Sequence, residues 1–357
     1  MKIAIILPTL QGGGAEKTYI MIGEYLKFQL NYDVDIILFK DLMDYETKLN
    51  VINVLNKNEK ISKNLLKFFK KFYKILKNYD IIMSGLELQP NYIAILFSKI
   101  LKKPCICTHH SIMNKLLNTY KNKFLYHFLN FLLLRFANIN IAVSKEVYES
   151  IINLYKIPKE KCTYIYNPID IKKIEMLSKE EIEEEYEFIF ENKTLCFMAR
   201  LEENKGLRKV IKALTYLKNY YLIVLGKGNF EPYYNYAKEL NVENRVFYLG
   251  FQKNPYKYLK NCFALVLPSE FEGFGLVFYE AMALGIPIVG SGIKETFGEN
   301  NKYGIYANSV EEIVNAIKLL ENQEIYNYYK KIGMERVKEF ELEKIAKEYE
   351  KVILSIL

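Results

Sequence analysis

Ala264-Leu265-Val266-Leu267-Pro268-Ser269-Glu270-Phe271-Glu272-Gly273-Phe274-Gly275-Leu276-Val277-Phe278-Tyr279-Glu280-Ala281-Met282-Ala283 is the stretch from which the fold can be read. A short apolar run of strand length closes at Pro268. A loop with two glycines follows, and then a run rich in Ala, Leu and Met that suits a helix. Glu272 falls in the loop and Glu280 about one turn into the helix. This is one strand–loop–helix unit, and the chain repeats it. Strand-like runs stand at 3–7, 34–39, 81–84, 105–108, 139–143 and 163–166. After a gap they resume at 195–199, 221–225, 246–249, 264–267 and 286–289. Strands alternating with helices, and apolar throughout, imply parallel sheets covered on both faces.

The 357 residues are enough for about two domains. The break falls after Asn167-Pro168-Ile169-Asp170, where an acidic stretch, 179–187, reads as a solvated helix or linker. The expected architecture is α/β, two doubly wound Rossmann-like domains facing across a cleft. Their bounds are 1–170 and 171–335, with a C-terminal helix, 336–357, packing back toward the first domain. Half of the residues are hydrophobic and 26% charged, an ordinary globular balance. The longest mostly apolar run, 124–134, is too short to cross a bilayer. The opening Met1–Pro8 resembles a signal peptide, but a glycine turn and a helical pattern follow where a cleavage site would be needed, so a first strand is expected. Five scattered cysteines without a C-x-x-C pair fit a reducing compartment, the cytoplasm. Cys105 and Cys107 lie close to His109 and His110, yet no second cluster completes a zinc site; no metal is expected.

The net charge of +8 is unevenly spread: residues 1–170 hold 24 Lys and Arg against 14 Asp and Glu, and residues 171–357 hold 26 against 28. An anionic partner for the first half is implied. Between Lys60 and Tyr79, Ile61, Leu65, Phe68, Phe69, Phe72 and Leu76 recur at helical spacing among seven lysines and no acid. Two readings stay open: a core-facing stripe with a solvated lysine face, or a helix lying on an anionic membrane. Residues 115–135, rich in Leu, Phe and Tyr, are a second membrane candidate. No nucleic-acid motif accompanies the charge.

Residues able to carry chemistry collect where strands end, the side on which parallel sheets bind ligands. Gly12-Gly13-Gly14 follows the first strand and allows close backbone approach to an anion at a helix start. Arg200 and Lys205 follow the first strand of the second half and suit a diphosphate. Glu272 and Glu280 bracket glycine-rich backbone and suit neighbouring hydroxyls of a sugar or ribose. No residue stands out as a nucleophile, and no D-x-D metal motif ends a strand.

Four elements in order, Gly13-Gly14-Ala15-Glu16, Tyr166-Asn167-Pro168-Ile169-Asp170, Arg200-Leu201…Lys205-Gly206, and Glu272…Glu280 within EGFGLV…EAMA, resemble the retaining, nucleotide-sugar-dependent GT-B glycosyltransferases of family four. The resemblance implies that Arg200 and Lys205 hold the donor diphosphate and that Glu280 binds the ribose. It places Glu272 near the donor hexose, with the N–H groups of Phe274, Gly275 and Leu276 beside sugar and phosphate, and Gly13 and Gly14 over the diphosphate. His110 falls where the family has an active-site histidine, with His109 one residue away as the alternative; Glu295 is given no role. The implied reaction transfers a hexose or N-acetylhexosamine, from a UDP-sugar by family frequency, to a lipid-linked or cell-surface glycan. It proceeds with retention and without metal or cofactor, by an enzyme peripheral at the inner face of the cell membrane. The alternatives are a non-catalytic nucleotide-sugar-binding protein on the same fold and, further off, a sugar-nucleotide epimerase.

Overall fold

The computed structural model describes residues 1–357. In chain order the first six helices are α1 (Gly14–Phe28), α2 (Leu65–Leu76), α3 (Gln89–Leu101), α4 (Met113–Asn118), α5 (Lys123–Leu133) and α6 (Lys145–Tyr155). Next come α7 (Ile171–Ser178), α8 (Glu184–Glu187), α9 (Leu207–Ala213), α10 (Glu231–Glu239), α11 (Tyr256–Leu259) and α12 (Leu276–Ala283). The last four are α13 (Lys294–Phe297), α14 (Val310–Leu319), α15 (Gln323–Val337) and α16 (Leu342–Ser355). The chain divides into two compact units, one of Met1–Pro168 with Leu342–Leu357, the other of Ile169–Glu341.

Unit 1 carries β1 (Lys2–Leu7), β2 (Asp33–Lys40), β3 (Asn50–Leu55), β4 (Ile81–Ser84), β5 (Cys105–His109), β6 (Ile139–Ala142) and β7 (Cys162–Tyr164). All are parallel, in the order β3-β2-β1-β4-β5-β6-β7. The order reverses between β1 and β4, which makes the ends of those two strands the crevice of the sheet. Ile3, Ile5 and Leu7 are fully buried under α1 and α16. In α16, Ile345, Tyr349 and Ile353 recur every four residues and are buried, and the Tyr349 ring meets Tyr19 of α1 edge-on at 6.2 Å.

Unit 2 carries β8 (Lys193–Met198), β9 (Tyr220–Leu225), β10 (Val246–Gly250), β11 (Ala264–Pro268), β12 (Ile288–Ser291) and β13 (Ile305–Tyr306). They too are parallel, in the order β10-β9-β8-β11-β12-β13, reversing between β8 and β11.

Differences from the sequence expectation are local. Strand β3 was not expected: its Asn50 and Asn53 break the apolar run, and as an edge strand it is only half buried. The helix expected over 60–79 is split at Asn64 into a turn, Ile61–Lys63, and α2. The segment 336–341 belongs to unit 2, not to a returning helix: Phe340 is fully buried against Phe274 and Tyr279, ring centroids 5.5 and 4.4 Å away, and the return begins at Leu342. The acidic stretch is anchored as well as solvated. Glu183 accepts from Lys257 Nζ and from the Tyr258 hydroxyl, both at 2.6 Å, and these bonds hold its carboxyl down at about 2. The stripe is core only in part: Phe68, Phe72 and Leu76 of α2 are buried, with Phe68 and Phe72 edge-on to Phe39, whereas Leu65 and Phe69 are exposed.

Candidate functional site

In unit 2 the loops after β8 and β11 are laced together, as neighbouring strands at the reversal of the sheet allow. Glu270 N–H donates to Asn204 O at 2.8 Å, and Gly206 packs on the end of β11. Gly206 has φ +78°, and a Cβ there would lie 2.4 Å from Pro268 O, so no side chain fits. This close approach brings Lys205 onto the β11 loop. Lys205 Nζ lies 2.8 Å from Glu272 Oε1, and Ser269 Oγ donates to the same oxygen at 2.7 Å. Both charged side chains are only 14% exposed. At that exposure the carboxylate holds the ammonium in one place as a charge-assisted bond, and the ammonium keeps donors in hand for an anion.

The second carboxylate is placed by α12. Gly275, at φ +74°, turns the chain into the helix and no side chain caps it, so the first N–H groups, from Leu276 onward, meet an anion-favouring helix end. Glu280 is 5% exposed, and Tyr256 of α11 donates to its Oε1 at 3.0 Å. Phe274 is buried, stacked on Tyr279 at 4.4 Å; its side chain is core and only its backbone belongs to the loop. Arg200 makes a separate ion pair. Its Nη1 meets Glu202 Oε1 at 3.0 Å and its side chain is 62% exposed. Lys205 and Glu272 thus form one unit, while Arg200 is exposed and pairs with Glu202.

In unit 1, Gly13 and Gly14 open α1, and the carboxylate of Glu16 in the first turn packs against Gly13. His109 ends β5 fully enclosed, with Nε2 3.1 Å from Asn140 Oδ1, and burial lowers its pKa. His110 follows in the loop, ring edge-on to Tyr19 at 6.0 Å. Burial pushes its pKa down to about 3, against the opposing pull of a hydrogen bond to Gly85 backbone, so the imidazole is neutral at physiological pH. Its Nε2 is enclosed and has no hydrogen-bond partner in the protein. His110 N–H donates to Glu87 Oε2 at 2.9 Å. Glu87 follows β4, beside the reversal of this sheet, and was not singled out from the sequence. The next residue, Leu88, has φ +63° and ψ −115°, a strained setting that holds the loop in one shape. Ser84-Gly85-Leu86-Glu87 at a strand end was the available signal. Cys105 and Cys107 are buried, and no group of three or more His, Cys, Asp or Glu side chains is placed to hold a metal ion.

Residues 12–173 match the family described as Glycosyltransferase Family 4, and residues 178–336 match Glycosyl transferases group 1. The chain is 30% identical, over 99% of both sequences, to the Campylobacter jejuni enzyme N-acetylgalactosamine-N,N'-diacetylbacillosaminyl-diphospho-undecaprenol 4-alpha-N-acetylgalactosaminyltransferase. The chain is a GT-B glycosyltransferase of group 1. The glycosyltransferase is also 29% identical, over 43% of its length and 42% of the other, to the lipopolysaccharide 1,6-galactosyltransferase of Escherichia coli K12. Its fold matches that of Anabaena Alr3699/HepE, solved in complex with UDP-glucose, with a TM-score of 0.82 at 20% identity, over 99% of this chain and all of that one. No helix of the glycosyltransferase is long and apolar enough to cross a membrane.

Proposed function

We propose that the enzyme transfers a hexose or N-acetylhexosamine from a UDP-sugar to a lipid-linked glycan, with retention at the anomeric carbon and without a metal ion or other cofactor. The observation that carries the donor half is the pairing of Lys205 with Glu272 beside the uncapped α12 end and the buried Glu280. Lys205 and the exposed Arg200 take the diphosphate, the α12 N–H groups add to its charge balance, Glu280 accepts from the ribose hydroxyls, and Glu272 faces the hexose. Gly13 and Gly14 cover the diphosphate, and His110, neutral, is the active-site histidine on the donor-sugar side. In the reaction the bond from the anomeric carbon to the phosphate oxygen breaks as the acceptor oxygen attacks from the same face. The acceptor's proton passes to the departing phosphate. The protein contributes position and charge, and each such contact is worth about 3–4 kcal/mol, or roughly 10²–10³ in rate.

The acceptor half is supported by the relative that acts on a diphospho-undecaprenol substrate and by the basicity of residues 1–170, which favours an anionic, membrane-held partner at the cytoplasmic face. A panel of nucleotides and nucleotide sugars in thermal unfolding, with and without chelator, tests the donor. UDP and one UDP-sugar raise the melting temperature in both conditions. A preference for another base, or dependence on a divalent ion, overturns that half. The anomeric configuration of the isolated product tests retention.

A further inference from the structure

Helix α5 is built inside out. Of its eleven residues only Asn130 is buried, at 2% exposure. Its amide donates to the Tyr155 hydroxyl at 3.1 Å and its oxygen accepts from the Tyr92 hydroxyl at 2.8 Å. His127 also turns inward, Nδ1 3.0 Å from the Tyr155 hydroxyl. Leu129 and Leu133 are half-buried, but five apolar residues face outward: Phe124 is 80% exposed, Phe128 59% and Leu125 53%, with Phe131 and Leu132 beside them. At 100° per residue those five span an outward arc of about 120°, the width of a stripe that a globular protein normally turns to its core. The polar side of the helix is already satisfied against the protein, so no repacking within unit 1 covers the arc.

The apolar face continues past the helix. Phe136, just beyond α5, is half exposed and lies under Lys99 Nζ of α3 at 5.6 Å, with Leu96 and Ile100 exposed on the same helix. Phe69 of α2 reaches α3 through Phe97, centroids 6.1 Å apart, and Leu66 and Tyr73 of α2 are exposed. Cations rim this face. Lys123 Nζ lies over the Phe124 ring at 5.5 Å, and the Arg135 guanidinium lies over Phe131 at 4.6 Å. Lys70, Lys71 and Lys74 stand on exposed α2 positions. From Leu88 to Lys145 the chain holds eight Lys and Arg and no acid.

We propose that this face docks on an anionic lipid bilayer, with Phe124, Leu125, Phe128, Phe131 and Leu132 of α5 seated in the interfacial layer and the lysines of α2 against the headgroups. A bilayer accounts for both halves of the observation, bare apolar rings and a rim of one sign, because it offers acyl surface under negative charge. A second copy of the chain would bring the same cations against one another. The proposal names the membrane element for the lipid-linked acceptor proposed above and rests on that reading for its purpose. Of the two membrane candidates in the sequence, residues 115–135 with α5 carry the larger bare apolar arc, since Phe68, Phe72 and Leu76 in the stripe of residues 60–79 are buried.

Flotation with phosphatidylcholine vesicles, with and without phosphatidylglycerol, tests it on the full chain. Binding is expected to the mixed vesicles only, weakening as salt is raised. Phe124→Ser with Phe128→Ser, at exposed positions that the fold does not use, lowers that binding about thirtyfold. Lys70→Gln, Lys71→Gln and Lys74→Gln together lower it about a hundredfold. UDP affinity is measured on every variant and stays at the wild-type value. Equal binding to both vesicle types, undiminished binding of the phenylalanine variant, or a dimer in solution that the same variant dissolves overturns the proposal. If the wild type binds vesicles but not UDP, the donor reading fails and the docking face stands.

Discussion

Replacing Lys205 by methionine keeps most of the apolar stem and deletes the ammonium 2.8 Å from Glu272 Oε1. At an effective dielectric of about 20 the attraction at that distance is about 6 kcal/mol, and desolvation of the two ions takes back most of it. Exposed pairs are worth 0–1 kcal/mol and breaking a buried pair costs 3–5, so a pair at 14% exposure should cost about 2 kcal/mol to break. For a unit the size of residues 169–341 that is a fall in melting temperature of roughly 4–8 °C. Glu272 retains Ser269 as a donor, which sets the cost below that of an orphaned ion. Turnover should fall further than stability explains, by about 10²–10³, because the same cation opposes charge on the departing phosphate. A cycle separates the two effects. Lys205→Met with Glu272→Gln removes both charges and should recover most of the melting temperature, read by circular dichroism. UDP release from the donor sugar should stay at the level of the single variant or below. Near wild-type turnover in Lys205→Met, or recovery of turnover in the double variant, would refute the role given to this pair beyond structure.

Arg200, exposed and paired only with Glu202, should behave differently: Arg200→Ala leaves the melting temperature within about 1 °C and lowers turnover about 10²-fold or more, a split between the two assays that Lys205 does not show. Tyr256→Phe removes the donor to Glu280 Oε1 and should weaken UDP binding about fivefold by calorimetry, whereas Glu280→Gln should weaken it about a hundredfold. Gly206→Ala forces a Cβ against Pro268 O at positive φ and should cost more than 1 kcal/mol in urea unfolding. His110 gives a pH signature. Its folded pKa of about 3 lies below the ordinary value of 6.5, so the unfolded chain binds the extra proton and stability falls as pH drops from about 6.5 toward 3. His110→Gln should reduce that slope by up to about 1.4 kcal/mol per pH unit, seen in urea midpoints across the range.

Strand–helix alternation was legible because parallel strands buried on both faces read as unbroken apolar runs; Ile3–Leu7 and Ala264–Leu267 are buried as read. The edges were not. Strand β3 carries two asparagines and β13 has two residues, and partner strands rather than local pattern define both. Residues 336–357 read as one helix because Val337, Phe340, Ile345 and Tyr349 share helical spacing, but Phe340 packs on Tyr279 of unit 2 and Tyr349 on Tyr19 of unit 1. Periodicity does not say which core a residue serves. At the site, residue types announced Lys205, Glu272 and Glu280, whereas Tyr256 and Glu87 act through partners 24 and 23 positions away in sequence and carry no local mark. In α5, within the 115–135 membrane candidate, composition pointed to the segment but not to which side is bare; that follows from Asn130 pointing inward.

The most direct test of the account is calorimetric titration of UDP into the wild-type protein, Lys205→Met and Glu280→Gln, each with chelator present. One site is expected in the wild type, with affinity falling at least tenfold in each variant while unfolding shows all three folded. Equal affinity in the three proteins, or no heat with UDP in any of them, contradicts it.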